Sequence, residues 1–316
     1  MKILVTGGAG FIGSNIVDAY IAAGHDVVVV DDLSSGKREN VNPRAIFYEC
    51  DIRSGDIKKI FADERPDVVN HHAAQISVPQ SVKDPCLDAS VNVTGLLNIL
   101  DAAAAVSIKK FIFISSGGAI YGEAKEYPTS EASKIMPVSP YAVTKALGEM
   151  YTAFYGKHRG VGYTILRYAN VYGPRQIPHG EAGVVAIFMN NLIEGKPSML
   201  CRFKEELRGM TRDYVYVADV AAANVAALTK GNGMVLNIGT GIATHTRELY
   251  DTVYGAVKGK RAGLDAALAN PGFAAARDGD LRRSCLDVKA AEKEIGWKAA
   301  TALVDGVAVT LKWRLK

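Results

Sequence analysis

Short, nearly unbroken apolar runs alternate with longer amphipathic ones through the first 170 residues. The short runs predict strands over Lys2–Thr6, Asp26–Val30, Ala45–Tyr48, Asp67–Asn70, Phe111–Ser115 and Gly162–Arg167. Most are rich in β-branched residues, as strands buried on both faces are. The amphipathic stretches between them predict helices over Ile12–Ala23, Gly55–Glu64, Asn92–Ala105 and Tyr141–His158. This βαβα rhythm implies an α/β fold, a doubly wound parallel Rossmann-type sheet with helices on both sides. After Asn170 the rhythm breaks. Pro174, Pro178, Gly173, Gly180 and Gly183 precede a helical stretch over Val184–Glu194, and Leu236–Ile238 is a short strand that can rejoin the first sheet. The expected organisation is a dinucleotide-binding domain over 1–170, with 236–242 returning to it, and a smaller interleaved substrate-binding region over 171–316.

Composition narrows the class. The chain has 316 residues, 48% hydrophobic and 22% charged, with a net charge of +4. That is an ordinary globular balance, which excludes disordered and fibrous classes. No basic stripe points to nucleic acid. No apolar run nears the ~20 residues that span a bilayer, and the N-terminus carries no secretory signal, so the expectation is a cytoplasmic protein without a membrane partner. Cys50, Cys86, Cys201 and Cys285 lie far apart without a C-x-x-C pair, so buried thiols are expected instead of a disulfide or metal framework. Nor do His71, His72, His179 and His245 have metal-ligand spacing, and no metal site is expected. Gly is the outlier, 31 of 316 or about 10% against roughly 7% on average.

Three of those glycines carry chemistry. Gly7, Gly10 and Gly13 lie between the first strand and the first helix, where they permit a tight turn, close approach of a pyrophosphate and close helix–strand packing. The helix start then offers N–H groups to phosphate. A purely structural loop is the alternative; the strand before and helix after argue for the nucleotide. Asp31, ending the second strand and followed by Asp32, suits a ribose and repels a 2′-phosphate, favouring NAD over NADP. Its alternative is a loop cap. Tyr141 and Lys145, four apart, share one helix face. An unperturbed tyrosine has a pKa of about 10, and a neighbouring ammonium favours its phenolate, so the pair can make a base for a sugar hydroxyl. The plain reading of Y-x-x-x-K alone is an exposed helix face.

Together with Ser115-Ser116-Gly117-Gly118-Ala119-Ile120-Tyr121-Gly122, these residues make the chain resemble the extended short-chain dehydrogenase/reductases. More narrowly, the stretch from Leu166 to Gln176, Gly180 to Val185, Arg212-Asp213-Tyr214-Val215 and Arg277-Asp278-Gly279-Asp280 resemble bacterial and archaeal UDP-glucose 4-epimerases over essentially the whole chain. The resemblance implies an NAD-dependent epimerase acting at C4 of a UDP-hexose, its N-acetyl forms included, through a 4-keto intermediate. It implies Tyr141 as base, Lys145 orienting it and the nicotinamide ribose, and Ser116 bonded to the reacting hydroxyl. It places NAD against Gly7, Gly10, Phe11, Ile12, Gly13, Asp31, Asp32, Leu33, Ser34, Ser35, Gly36, Asp51, Ile52, His72, Ala73, Ala74, Gln75, Asn92, Ser115 and Tyr168. The UDP-sugar falls to Gly117, Asn170, Val184, Val185, Arg212, Arg277, Asp280 and Ser284, besides Ser116 and Tyr141. Relatives also dimerise through two helices, here 88–105 and 141–158, so a homodimer is expected.

The chain departs from that pattern in places. Gly117 stands where the family usually has Ser or Thr, which moves that role to Ser116. Residues 202–206 replace a Gly-Asp-Gly turn, leaving Phe203 as the aromatic to meet uracil. Ser284 stands where some epimerases carry Tyr, which implies room for an N-acetyl group, while Arg282 and Arg283 nearby keep a uronate open. A dehydratase or decarboxylase is the close alternative, but dehydratases place Asp-Glu where this chain has Gly118-Ala119. A non-catalytic NAD-binding sensor is the alternative of a different class, disfavoured by the intact Tyr/Lys pair.

Overall fold

The computed structural model describes residues 1–178, 183–261, 263–277 and 279–316. Its centre is a seven-stranded, all-parallel sheet. Six strands come from the first 168 residues: β1 (Lys2–Thr6), β2 (Asp26–Asp31), β3 (Ile46–Glu49), β4 (Val68–His71), β5 (Lys110–Ser116) and β6 (Gly162–Tyr168). The seventh, Met234–Ile238, returns from far along the chain to pair with β6, giving the order seventh, β6, β5, β4, β1, β2, β3. The order reverses between β1 and β4, whose last residues Thr6 and His71 stand side by side. In open α/β sheets that crevice is where ligands bind.

Alternation along the strands divides the core into two layers. Ile3 and Val5 pack with Ile16, Val17 and Tyr20 of the helix Phe11–Ala22 and with Val220 and Ala223 of the helix Val217–Ala227. Leu4, pointing the other way, packs with Ile57 and Phe61 of the helix Asp56–Glu64 and with Ile99 and Leu100 of Leu96–Ala105. A third core, built around Tyr172, Phe188, Leu192, Tyr250 and Leu311, gathers the helices Val184–Glu194, Thr246–Lys258 and Leu303–Arg314. The sheet layer thus takes both a strand and a helix from the second half of the chain.

One helix differs from its expected course. Instead of running from Asn92, it begins as Pro85–Ala89, with the Asp84 carboxylate capping the Leu87 N–H, and passes through a π-helical turn, Ser90–Gly95, before Leu96–Ala105. Asn92 sits in that wider turn, a departure often found at functional sites. Ala102 and Ala103 are buried against the sheet, so the alanine-rich segment packs inward.

Candidate active site

The glycine turn is shaped by contacts that leave no room for side chains. A Cβ at Gly13 would lie 2.2 Å from the Gly7 carbonyl, and one at Gly7, where φ is +68°, 2.7 Å from the Ala73 nitrogen. The helix that follows has no side-chain cap and no acidic residue in its first turn. Gly10, Phe11, Ile12 and Gly13 line a cavity of about 450 Å³, so the positive helix end opens onto it.

That cavity runs from the sheet crevice toward the third core. Its walls bring together Gly7, Asp31, Asp32, Ser34, Ser35, Asp51, Ile52, His72, Ala73 and Ala74 at one side, and Ser115, Ser116, Tyr141, Lys145, Tyr168, Asn170, Val184 and Val185 at the other. Asp31 closes the turn: its carboxylate accepts the N–H groups of Ala9 and Leu33, both at 2.9 Å. Burial pushes its pKa up while these hydrogen bonds pull it down. Leu33, Gly36, Gln75 and Asn92, expected to touch NAD, do not line the cavity. Asn92 Oδ1 accepts the Gln75 N–H at 2.8 Å, and its amide donates back to the Gln75 carbonyl at 3.0 Å.

Tyr141 and Lys145 project from the helix Pro140–Arg159, whose Ser139 cap accepts the Ala142 N–H. The lysine is buried and donates to the Ile114 carbonyl at 3.0 Å. Burial brings its pKa down to about 8, against the upward pull of the Asp88 and Glu149 carboxylates. The expected lowering of the tyrosine pKa is absent from the protein itself. Burial pushes Tyr141 up to about 12, Asp88 adds to the rise, and a hydrogen bond with Ser116 pulls the other way. Lys145 lies 5.9 Å from the tyrosine ring centroid, so its charge does not reach the phenol closely enough to win. The Ser116 contact also explains the departure at Gly117, where a Cβ would stand 2.6 Å from Leu286 Cδ1. Leu286 fills the space that a Ser or Thr side chain at this position would use.

The remaining substrate-side residues lie beyond the cavity wall. Gly117, Arg212, Arg277, Asp280 and Ser284 do not line it. Arg212 sits in the short strand Thr211–Arg212, and the bridge from Thr211 to Arg283 brings Ser284 beside it. Tyr214, which does line the cavity, feels the Arg212 charge. Asp280 caps the Arg277 N–H at 2.9 Å. Phe203 is outside the cavity, its ring covered by the Arg282 guanidinium at 4.4 Å. Gly180, Glu181, Ala182, His179 and Asp278 lie outside the described residues.

The walls fit a polar ligand. Among the described residues, six buried side-chain polar atoms have no partner, and four of them, His72 Nδ1, Asn170 Oδ1, Arg175 Nη1 and Gln176 Oε1, belong to residues lining this cavity. Such orphans are rare in a folded protein and mark groups awaiting a ligand or water. His72 is held neutral, its pKa brought down to about 3 by burial. Sequence reasoning missed Arg175, Gln176, Tyr214 and Trp313, which share the cavity from distant parts of the chain. Arg175, Gln176 and Tyr214 lie inside the epimerase-like stretches without being given a role, while nothing in the sequence marks Trp313.

Residues 3–239 match the family model described as the NAD-dependent epimerase/dehydratase family. A UDP-glucose 4-epimerase of Mycolicibacterium smegmatis is 44% identical over 319 residues, spanning 99% of this chain and 98% of that protein. The solved UDP-glucose 4-epimerase of Thermotoga maritima, crystallised with UDP-glucose, superposes with a TM-score of 0.92 at 45% identity, covering 100% of this chain and 99% of that one. The Thermus thermophilus UDP-glucose 4-epimerase in complex with NAD gives 0.90 at 44% identity, with 99% and 98% covered. With the glycine turn, the acidic end of β2 and the Tyr141/Lys145 pair all facing one cavity, the chain belongs to the NAD-dependent epimerase/dehydratase family.

Proposed function

We propose that this protein interconverts the C4 epimers of a UDP-hexose, using NAD held in the cavity. The observation that carries the reading is the grouping of Ser116, Tyr141 and Lys145 on the wall of the cavity that also contains the glycine cradle. Bound there, NAD supplies a reversible hydride acceptor for C4 and a positive ring charge that favours the Tyr141 phenolate. Tyr141 then takes the proton of the C4 hydroxyl and later returns it. Ser116, on the same wall as Tyr141, is placed to steady the same oxygen. Lys145, fixed by the Ile114 carbonyl, keeps an ammonium beside the pair. Asn170 and the N–H groups of Val184 and Val185 hold the diphosphate side, where the helix Val184–Glu194 begins without a side-chain cap. Grip concentrated on the nucleotide leaves the hexose free to present either face.

The dehydratase alternative lacks its chemistry. A Cβ at Gly118 would stand 3.5 Å from Asn170 Oδ1 and 3.9 Å from Ser116 Oγ, so this position faces the site and offers nothing to move a proton. Arg282 and Arg283, which kept a uronate open, lie outside the cavity and pair with Glu205 and Glu206 at the surface, so the cavity itself offers a uronate neither of them. The test is conversion of UDP-galactose without added cofactor, together with the absorbance of NAD released on denaturation. Absence of both would overturn the reading.

The partner is a second copy of the chain. Val143, Leu147, Met150, Tyr151 and Phe154 form an exposed apolar stripe along the Pro140–Arg159 helix, with Met150 67% and Phe154 52% accessible. The stripe continues into a groove between 85–94 and 137–147. Such a patch suits a self-complementary interface, and Met150→Glu with Phe154→Glu should convert a dimer to monomer in analytical ultracentrifugation. The working compartment is the cytoplasm, which the four free thiols favour. No helix among the described residues is long and apolar enough to cross a membrane.

A further inference from the structure

We propose that Asp88 is a positioning residue for the reaction: its buried carboxylate fastens the wall that carries Gln75 and Asn92 to the helix that carries Tyr141 and Lys145. The inference rests on the catalytic reading of Tyr141 and Lys145 given above. Asp88 is fully enclosed. It lies at the end of the helix Pro85–Ala89, just before the π turn. Its Oδ1 accepts the Gln75 amide at 2.7 Å and the Asn92 amide at 3.1 Å, and its Oδ2 accepts the Thr144 hydroxyl at 2.7 Å. Asn92 also reaches Thr144 Oγ1 at 3.2 Å. Thr144 directly precedes Lys145, so this cluster joins the two walls immediately behind the reacting groups.

An enclosed carboxylate satisfied by three neutral donors is costly to keep if its only task is packing, because apolar groups of the same volume would fill the space at least as well. What it adds is charge. The titratable and charged groups around Lys145 are Asp88, bonded to the adjacent Thr144, Glu149 one turn along the same helix, Tyr141, His71 and His72 at the end of β4, and Arg167, which is bound to Glu149. Both histidines are held neutral by burial. Glu149 is already matched by Arg167, which leaves Asp88 as the carboxylate without a guanidinium partner in this group. Its negative charge favours the protonated form of Lys145, against the pull of burial, and opposes ionisation of Tyr141.

Asp88→Asn keeps the shape and removes the charge. Thr144 can then turn its hydroxyl toward the Tyr141 carbonyl, 3.1 Å away. In the NAD-loaded enzyme the expected result is a kcat–pH profile moved to lower pH on both limbs, so that kcat falls above the alkaline limb, with little change in KM for UDP-galactose. Each pH unit of displacement is about a tenfold loss of rate above the alkaline limb. An NMR titration of the Lys145 side chain, without substrate, should show its pKa falling in the variant. An unmoved pH profile and an unmoved Lys145 titration would overturn the proposal. Should Asp88→Asn not fold, Thr144→Val severs the link while leaving the carboxylate: a kcat loss restored by Thr144→Ser supports the role, and wild-type turnover by Thr144→Val overturns it. Wild-type protein unable to convert UDP-galactose would instead sink the catalytic reading, while the Lys145 titration would still report on Asp88.

Discussion

Arg167 holds Glu149 with two arms of its guanidinium, Nε at 2.9 Å from one carboxylate oxygen and Nη2 at 2.6 Å from the other, where both side chains are nearly sealed from water. The pair ties β6 to the helix Pro140–Arg159 one turn beyond Lys145. Ser115 Oγ donates to the same carboxylate at 2.5 Å, and Arg167 also donates to the Tyr121 hydroxyl at 2.7 Å. Removing one partner strands the other charge in a dry site. Glu149→Ala should therefore cost roughly 3–5 kcal/mol of stability in urea denaturation. The double variant Glu149→Leu with Arg167→Met should recover part of it, although Ser115 and Tyr121 lose partners. A loss below about 1 kcal/mol in the single variant would mean that the pair is solvated in solution.

Tyr141→Phe should abolish epimerisation while leaving NAD bound, because only the phenol oxygen is removed. Near-normal turnover would refute the assignment of the base. Ser116→Ala should slow the reaction by the equivalent of about 1–3 kcal/mol, the worth of a hydrogen bond to a charged oxygen. An unchanged rate would move that role elsewhere in the loop. The two protonation demands oppose each other with pH. Tyr141, raised to about 12, gains base form as pH rises; Lys145, lowered to about 8, loses its proton. Activity should thus climb through neutral pH and fall once Lys145 discharges.

The strands nearest the cofactor wall were legible because local rules agree there. Lys2–Thr6 stops where Gly7 turns left-handed, and Val184–Glu194 is bounded by left-handed glycines at 183 and 195, so both match their observed ends. The helix Val217–Ala227 was missed because its run of alanines carries little contrast between faces, and tertiary packing against Phe11–Ala22 is what makes it a helix. Asp88 and the Glu149–Arg167 pair were illegible for another reason. Their partners lie on other elements, and nothing local in the sequence says that a carboxylate beside Cys86 and Leu87 will be buried against Thr144.

Asp31→Ala should weaken NAD binding and narrow its preference over NADP. In wild type the carboxylate would face a 2′-phosphate at close range, and only Lys37 and Arg38, further along the loop, could receive that charge. The same change strips the Ala9 and Leu33 N–H groups of their acceptor, so some loosening of the glycine turn should accompany it. Equilibrium dialysis of both cofactors against wild type and variant checks this. Wild-type protein that copurifies with NADP would refute the argument.

Ser284 lies beyond the cavity wall beside Arg212, at the position where the resemblance puts a phenol ring in some epimerases, and on that placement the sugar site should accept N-acetylated substrates. The residue is buried, and its N–H is tied to the Thr211 carbonyl at 3.0 Å, which fixes its backbone beside Arg212. A larger side chain there has little freedom to move away. Ser284→Tyr should suppress turnover of UDP-N-acetylhexosamine while largely sparing UDP-galactose, since the added ring clashes only with the bulkier C2 substituent. Overpacking a closed site typically costs about 1–3 kcal/mol, which is roughly a fivefold to 150-fold change in discrimination. The measurement is the ratio of kcat/KM on the two sugars, so that a general loss of folded enzyme cancels. If wild type already rejects the N-acetyl sugar, or Ser284→Tyr lowers both activities equally, the gate lies elsewhere, and the cavity wall at Tyr214 and Asn170 becomes the place to look.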